Sequence, residues 1–292
     1  MPIFRFTQIE VPWLLGPPDG RYLLRAPAQT LNPARALNGS EPEPTHVLLF
    51  STLAAPPRRG RFSSGTRGAA SEPQPTAVPT SRATVIEAAE PLADVEAAKR
   101  WLAAVGEDDL AAGLLTLTRV LDTFRAVTAD PHVRAPGREE LLVARVGYGD
   151  GEEVAYGRWS DARELLAPPR SRRRSKVLEP QARLAAALGQ RTPALLCEEL
   201  TLRARLDLDG GRSRAAALQL TVALDTALGE LKPAMAPDMR TRLDELAAQI
   251  DAVTAAAAAA VSGELTGEQQ ETVARALGRI EAALRARAVA AA

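Results

Sequence analysis

From about residue 178 onward the apolar residues recur in steps of three and four, the repeat of one face of an α-helix and of nothing else. Leu243, Leu246, Ile250, Val253, Ala257 and Ala260 form one such stripe, and Val273, Leu277, Ile280 and Leu284 form another. Ser262-Gly263 interrupts the two, and Thr266 with Gln269 has the spacing of a capping box at the start of the second. Aromatic residues are only 4% of the chain while apolar residues are 46%, so this half must be built from Leu, Ala and Val at close helix–helix crossings. Helices are expected near 178–189, 192–209, 213–231, 237–262 and 267–290. The Ala-rich run 255–260 buries little area per residue, so the last pair of helices is expected to lean on the helices before it or on another chain.

The front of the chain follows a different period. Residues 3–9 alternate apolar and polar, as in a half-buried strand. Gly16-Pro17-Pro18-Asp19-Gly20 turns the chain, Arg21–Arg25 returns, and His46–Leu53 reads as a third, more deeply buried strand. Ala83–Ala88 is a short strand. Asp94 opens a helix that Gly106 closes, and a second helix follows with a stripe of Leu110, Leu114, Leu117, Leu121 and Phe124. The two helices should cover one face of the sheet. Residues 140–147 and 152–159 read as two more strands joined by Gly149-Asp150-Gly151. The fold class expected is an α+β domain over 1–166, its sheet small and antiparallel or mixed, followed by an all-α helical-hairpin domain over 177–292. Between 55 and 81, Pro, Arg, Gly and Ser displace the long apolar side chains, which predicts a flexible insertion. Residues 167–176 read as a basic linker.

One segment resembles a tetratricopeptide unit. In 197–228, Ala204, Ala216 and Ala223 have the spacing of that family's small residues, Leu200 and Leu220 match large apolar positions, and Gly210-Gly211 lies in the turn. Arg203 and Asp207 depart from the pattern, and no second unit matches. The resemblance implies a helical hairpin over this one partial unit.

Chemistry is sparse. Cys197 is the single cysteine, set among Leu195, Leu196 and Leu200, and it reads as a buried structural thiol. The two histidines are His46, opening a strand, and His132, in a loop. There is no Cys/His spacing for zinc. Asp207-Leu-Asp209-Gly210 starts like a calcium loop, but Leu218 stands where the last acidic ligand belongs. Gly147-Tyr-Gly149-Asp150-Gly151 lacks the spacing of a dinucleotide loop. The sequence therefore singles out no catalytic, metal or cofactor-binding residue, and no cofactor is expected.

The 36 basic and 36 acidic residues cancel, so no global field draws in nucleic acid or an anionic membrane. Lysine occurs only at Lys99, Lys176 and Lys232, and with the abundant Ala, Gly and Pro this matches the codon bias of a high-GC bacterial genome. The sharpest polar feature is the run Arg170, Arg172, Arg173, Arg174 and Lys176, a possible contact for phosphate, RNA or an acidic surface. The first eleven residues lack a basic-then-apolar leader, and no apolar run approaches the roughly 20 residues of a membrane span, so a cytoplasmic protein is expected. The leading functional expectation is a non-catalytic protein–protein interaction or scaffold protein, bound or self-associated through its C-terminal helices. A nucleic-acid accessory role for the arginine run comes second, and an enzyme of unrecognised type third.

Overall fold

A computed structural model of the chain describes residues 2–25, 43–53, 79–165, 184, 188–189, 194–232 and 237–290. The chain divides into two compact units, Met1–Pro168 and Pro169–Ala292.

The first unit is built on a six-stranded sheet of β1 (Ile3–Val11), β2 (Gly20–Arg25), β3 (Pro44–Leu53), β4 (Thr80–Leu92), β5 (Val143–Asp150) and β6 (Asp161–Glu164). Its order is β2-β3-β4-β1-β5-β6, and every pairing is antiparallel. β1 is central, with Ile9 opposite Ala83 of β4 on one side and Ala144 of β5 on the other. Alternation sends Ile9, Val11, Leu48, Phe50, Val85 and Val146 into one core and Phe6, Val47, Leu49 and Ile86 into a second. Among the latter lies a satisfied polar group, the fully buried Gln8, which donates to Thr84 Oγ1 at 3.1 Å and accepts from Arg145 at 2.9 Å.

Helices α1 (Val95–Ala104) and α2 (Glu107–Thr128) cover the first face. Asp94 caps α1, its carboxylate accepting from Ala97 N–H at 2.7 Å. Gly106 does not close α1, contrary to expectation. Val105 does so, and Gly106 is the N-cap of α2, its N–H donating to Asp109 at 2.8 Å. Leu110, Leu117 and Leu121 of the expected stripe are buried in the same core as Ile9.

Three expectations are corrected. Residues 152–159 are not a strand. Gly151, at φ +61°, curls the chain into a 3₁₀ segment, Gly151–Tyr156, that lays Val154 and Ala155 on the second face, and the pairing with β5 is left to Asp161–Glu164. The short strand at 83–88 is the middle of the thirteen-residue β4, because it pairs with both β1 and β3. Its first residues, Thr80 and Ser81, come from the segment expected to be a flexible insertion, while 54–78 lies outside the described residues. The basic linker at 167–176 and most of the helix expected near 178–189 lie outside them too.

The second unit is helical: α3 (Leu196–Asp209), α4 (Ser213–Glu230), α5 (Pro237–Ala247), α6 (Ile250–Ser262) and α7 (Gly267–Ala290). Ala204, Ala216, Ala223, Ala260, Ala276 and Ala283 are completely buried in a core they share with Leu220, Leu246, Leu277 and Ile280. The single helix expected over 237–262 is two. At the break Gln249 N–H turns back to Leu246 O at 2.9 Å, an i−3 contact in place of the α-helical i−4. The capping box forms, with Thr266 N–H on Gln269 at 2.9 Å and Gln269 N–H on Thr266 Oγ1 at 3.3 Å. Leu195, at the N-cap of α3, has no capping oxygen. Glu230, at the far end of α4, supplies one, accepting from Leu196 N–H at 3.3 Å and Cys197 N–H at 2.9 Å. Arg205–Glu281 and Arg287–Glu198 pairs hold α7 against α3. Among the described residues, no helix is long and apolar enough to cross a membrane.

Gly113 sets how closely α2 approaches the sheet. A Cβ there would meet Thr7 Oγ1 at 2.5 Å and Thr7 Cβ at 2.6 Å. Gly113→Ala is therefore expected to destabilise the first unit by about 1–3 kcal/mol despite alanine's better helix propensity. Urea unfolding checks this, and an unchanged or raised midpoint would contradict the contact.

Candidate functional site

The basic residues singled out from the sequence, Arg170, Arg172, Arg173, Arg174 and Lys176, lie outside the described residues. Cys197 is fully buried, and burial, with Glu230 beside it, pushes its thiol up to about 12. A thiol so held is protonated and a poor nucleophile. Asp207 pairs with Arg212 at 2.7 Å and Asp209 with Arg205 at 3.4 Å, so the carboxylates of the calcium-loop look-alike hold arginines. Among the described residues, no group of three or more His, Cys, Asp or Glu is placed to hold a metal ion. The glycine density near 147–151 answers to packing, since a Cβ at Gly147 would meet Asp161 O at 2.5 Å and one at Gly149 would meet Val154 Cγ1 at 2.7 Å.

Polar groups gather instead in a cavity of about 180 Å³ between the sheet and α1–α2. Its floor is a row across three strands: the register sets His46 of β3 opposite Glu87 of β4, and Glu87 opposite Arg5 of β1. Trp101, Asp109 and Thr116 come from the helices. Arg5 Nη1 donates to Glu87 Oε2 at 3.2 Å, and its guanidinium lies 5.7 Å from the centre of the Trp101 ring. Thr116 donates back to Ala112 O at 3.1 Å, as helical threonines do.

The protonation of His46 follows from its neighbours. Its Nδ1 is 3.1 Å from Thr45 Oγ1, and that hydroxyl donates its one proton to Leu24 O at 3.1 Å. While the hydroxyl donates to Leu24 O, both contacts are hydrogen bonds only in the tautomer that carries its hydrogen on Nδ1 and leaves a lone pair on Nε2. Burial holds the imidazole below its ordinary value of 6.5. The nearby Glu87 opposes the shift and Arg119 reinforces it. The ring is neutral at pH 7.

His46 stands out in the sequence as one of two histidines, but its neighbours in the cavity lie far from it along the chain. The polar and aromatic lining residues come from five separate elements, and only the register of β1, β3 and β4 brings the floor together.

A second feature lies on the helical unit. Leu202 and Leu206 of α3 are 69% and 67% exposed, and Leu218 and Val222 of α4 are 44% and 54% exposed. Each pair is one helical turn apart, on the side of its helix opposite the buried Ala204 or Leu220. Charged residues flank the α3 pair, with Arg203 and Glu199 bridged at 2.5 Å.

No protein-family model, no curated protein and no solved structure matches the chain.

Two outcomes are expected. Cys197 in the folded protein stays unmodified by a thiol reagent at mildly alkaline pH and is labelled once denaturant is added; rapid labelling of the native chain would contradict its burial. The second concerns His46. Its folded-state pKa is depressed, so near pH 6 the unfolded chain binds more protons and stability rises with pH. Relative to His46→Gln, the wild type should lose stability as pH falls through about 6.5 and level off below the folded-state value. Urea unfolding at stepped pH reads this, and a pH-independent difference would refute it.

Proposed function

We propose that the protein is a non-catalytic interaction or scaffold protein whose C-terminal half, organised as helical hairpins, docks an apolar helical segment of a protein partner. The observation that carries this reading is the pair Leu202 and Leu206, two large apolar side chains at helical spacing in water on the outer side of α3. Leu218 and Val222 repeat the arrangement on α4. A pair at i, i+4 offers the kind of surface an amphipathic helix packs on, and the adjoining Glu199 and Arg203 provide a charged rim. The buried Ala204, Ala216 and Ala223 support the tetratricopeptide-like hairpin, because small residues are what two helices need where they cross closely.

The test is affinity capture from the native host with the full chain and with a Leu202→Glu/Leu206→Glu double variant. Both side chains are largely exposed, so the variant is expected to keep its unfolding midpoint to within about 0.5 kcal/mol for each site. Partners retained by the wild type should be lost by the variant. An identical set of captured proteins from both, or a wild type that stays a monomer and captures nothing above background, overturns the reading.

A further inference from the structure

The cavity of the first unit is balanced in charge only while His46 is neutral. Arg5 of β1 and Arg119 of α2 stand against Glu87 of β4 and Asp109 of α2, with His46 among them. A proton on the imidazole adds a positive charge that this set does not already answer. Of the two carboxylates, Glu87 is the one that the register places beside His46. It is directly opposite His46 on one side and directly opposite Arg5 on the other. Directly opposed side chains share a face, with Cβ atoms about 4.5–5.5 Å apart, so one carboxylate can serve either neighbour. On β2 the residue opposite His46 is Leu24, which carries no charge. From α2, Arg119 repels an imidazolium, and Asp109 is engaged with the N–H of Gly106 at 2.8 Å.

Glu87 is held loosely where it is. Arg5 reaches it through Nη1 alone, at 3.2 Å, rather than by the two-pronged pairing a guanidinium can make, and Arg5 Nε is buried without a hydrogen-bond partner among the described residues. The same guanidinium lies 5.7 Å from the centre of the Trp101 ring on α1. The cavity of about 180 Å³ leaves the carboxylate room to turn, being well above the roughly 10–15 Å³ that one water needs. With Nδ1 at 3.1 Å from Thr45 Oγ1, Nε2 is the ring nitrogen left to take a proton from solvent. We propose that Glu87 is a proton-operated junction of the first unit. With His46 neutral, its carboxylate serves Arg5 alone. When His46 Nε2 takes a proton, the carboxylate is drawn to the imidazolium and Arg5 is re-aimed against Trp101, so the charge on β3 is felt at α1. Burial holds the imidazole below 6.5, with Glu87 opposing and Arg119 reinforcing, so the neutral arrangement is the one at pH 7 and the exchange falls on the acid side of 6.5.

The experiment is a pH titration of the full chain labelled with ¹⁵N. It follows the imidazole nitrogens of His46, the Nε–H of Arg5 and the indole N–H of Trp101, assigned with His46→Gln, Arg5→Lys and Trp101→Phe. The Arg5 and Trp101 signals are expected to shift with a single midpoint that coincides with that of His46, and both shifts should vanish in His46→Gln. Glu87→Gln should let His46 titrate at lower pH while the Arg5 and Trp101 signals stay flat. Because Glu87→Gln could unfold the unit by stranding Arg5, a second variant is placed on the surface. Arg119 is exposed, and Arg119→Gln removes the cation that opposes protonation, so it should raise the His46 midpoint and carry the Arg5 and Trp101 transitions with it. Arg5 and Trp101 signals that stay flat while His46 titrates, transitions that persist in His46→Gln, or midpoints that fail to follow His46 in Arg119→Gln would each overturn the junction.

Discussion

The first unit depends on the placement of β1. It hydrogen-bonds to β4 and β5 at once and is packed on both faces, by α2 above and the 3₁₀ segment below. A strand in that position can neither slip by one residue nor separate from one neighbour without exposing Phe6 and Ile9 together. The close contact of Gly113 with Thr7 belongs to the same constraint: α2 lies where the small residue lets it lie, and the height of the cavity beside it follows. The polar row of Arg5, Glu87 and His46 is thus a by-product of register, set by the apolar residues on either side of it.

The helical unit solves a different problem. With no Phe, Trp or Tyr in its sequence, it closes its core by bringing backbones near one another at alanines, and each buried methyl contributes little. Arginine–glutamate pairs between α3 and α7, and Arg214 donating to Ala260 O at 2.7 Å at the end of α6, fix the helices in register more than they add stability. The same economy leaves leucines over, and those on the outer sides of α3 and α4 lie in water.

Much of this architecture was legible in the residues. Alternation located β1 and a continuous apolar run located β3, each to within two residues, and the 3–4 stripes located α2, α3, α4 and α7. What was not legible has physical causes. Residues 152–159 can be written as a strand, but Val154 and Ala155 find a better burial by curling onto the open sheet face, a tertiary gain that no local pattern announces. The break at 248–249 carries no Gly or Pro, only the good helix formers Ala248 and Gln249, so the residues there announce no interruption. The cavity was hidden for a third reason. Arg5, His46, Glu87, Trp101 and Asp109 form no motif along the chain, and the tautomer of His46 rests on a threonine that itself bonds to another strand.

The carboxylate of Glu230 shows how far one side chain can extend cooperativity. It caps the first turn of a helix that began 34 residues earlier in the chain, accepting from Leu196 N–H and Cys197 N–H. The amide of Cys197 is therefore held by the seating of the end of α4, and its exchange reports opening of the two helices together rather than fraying of α3 alone.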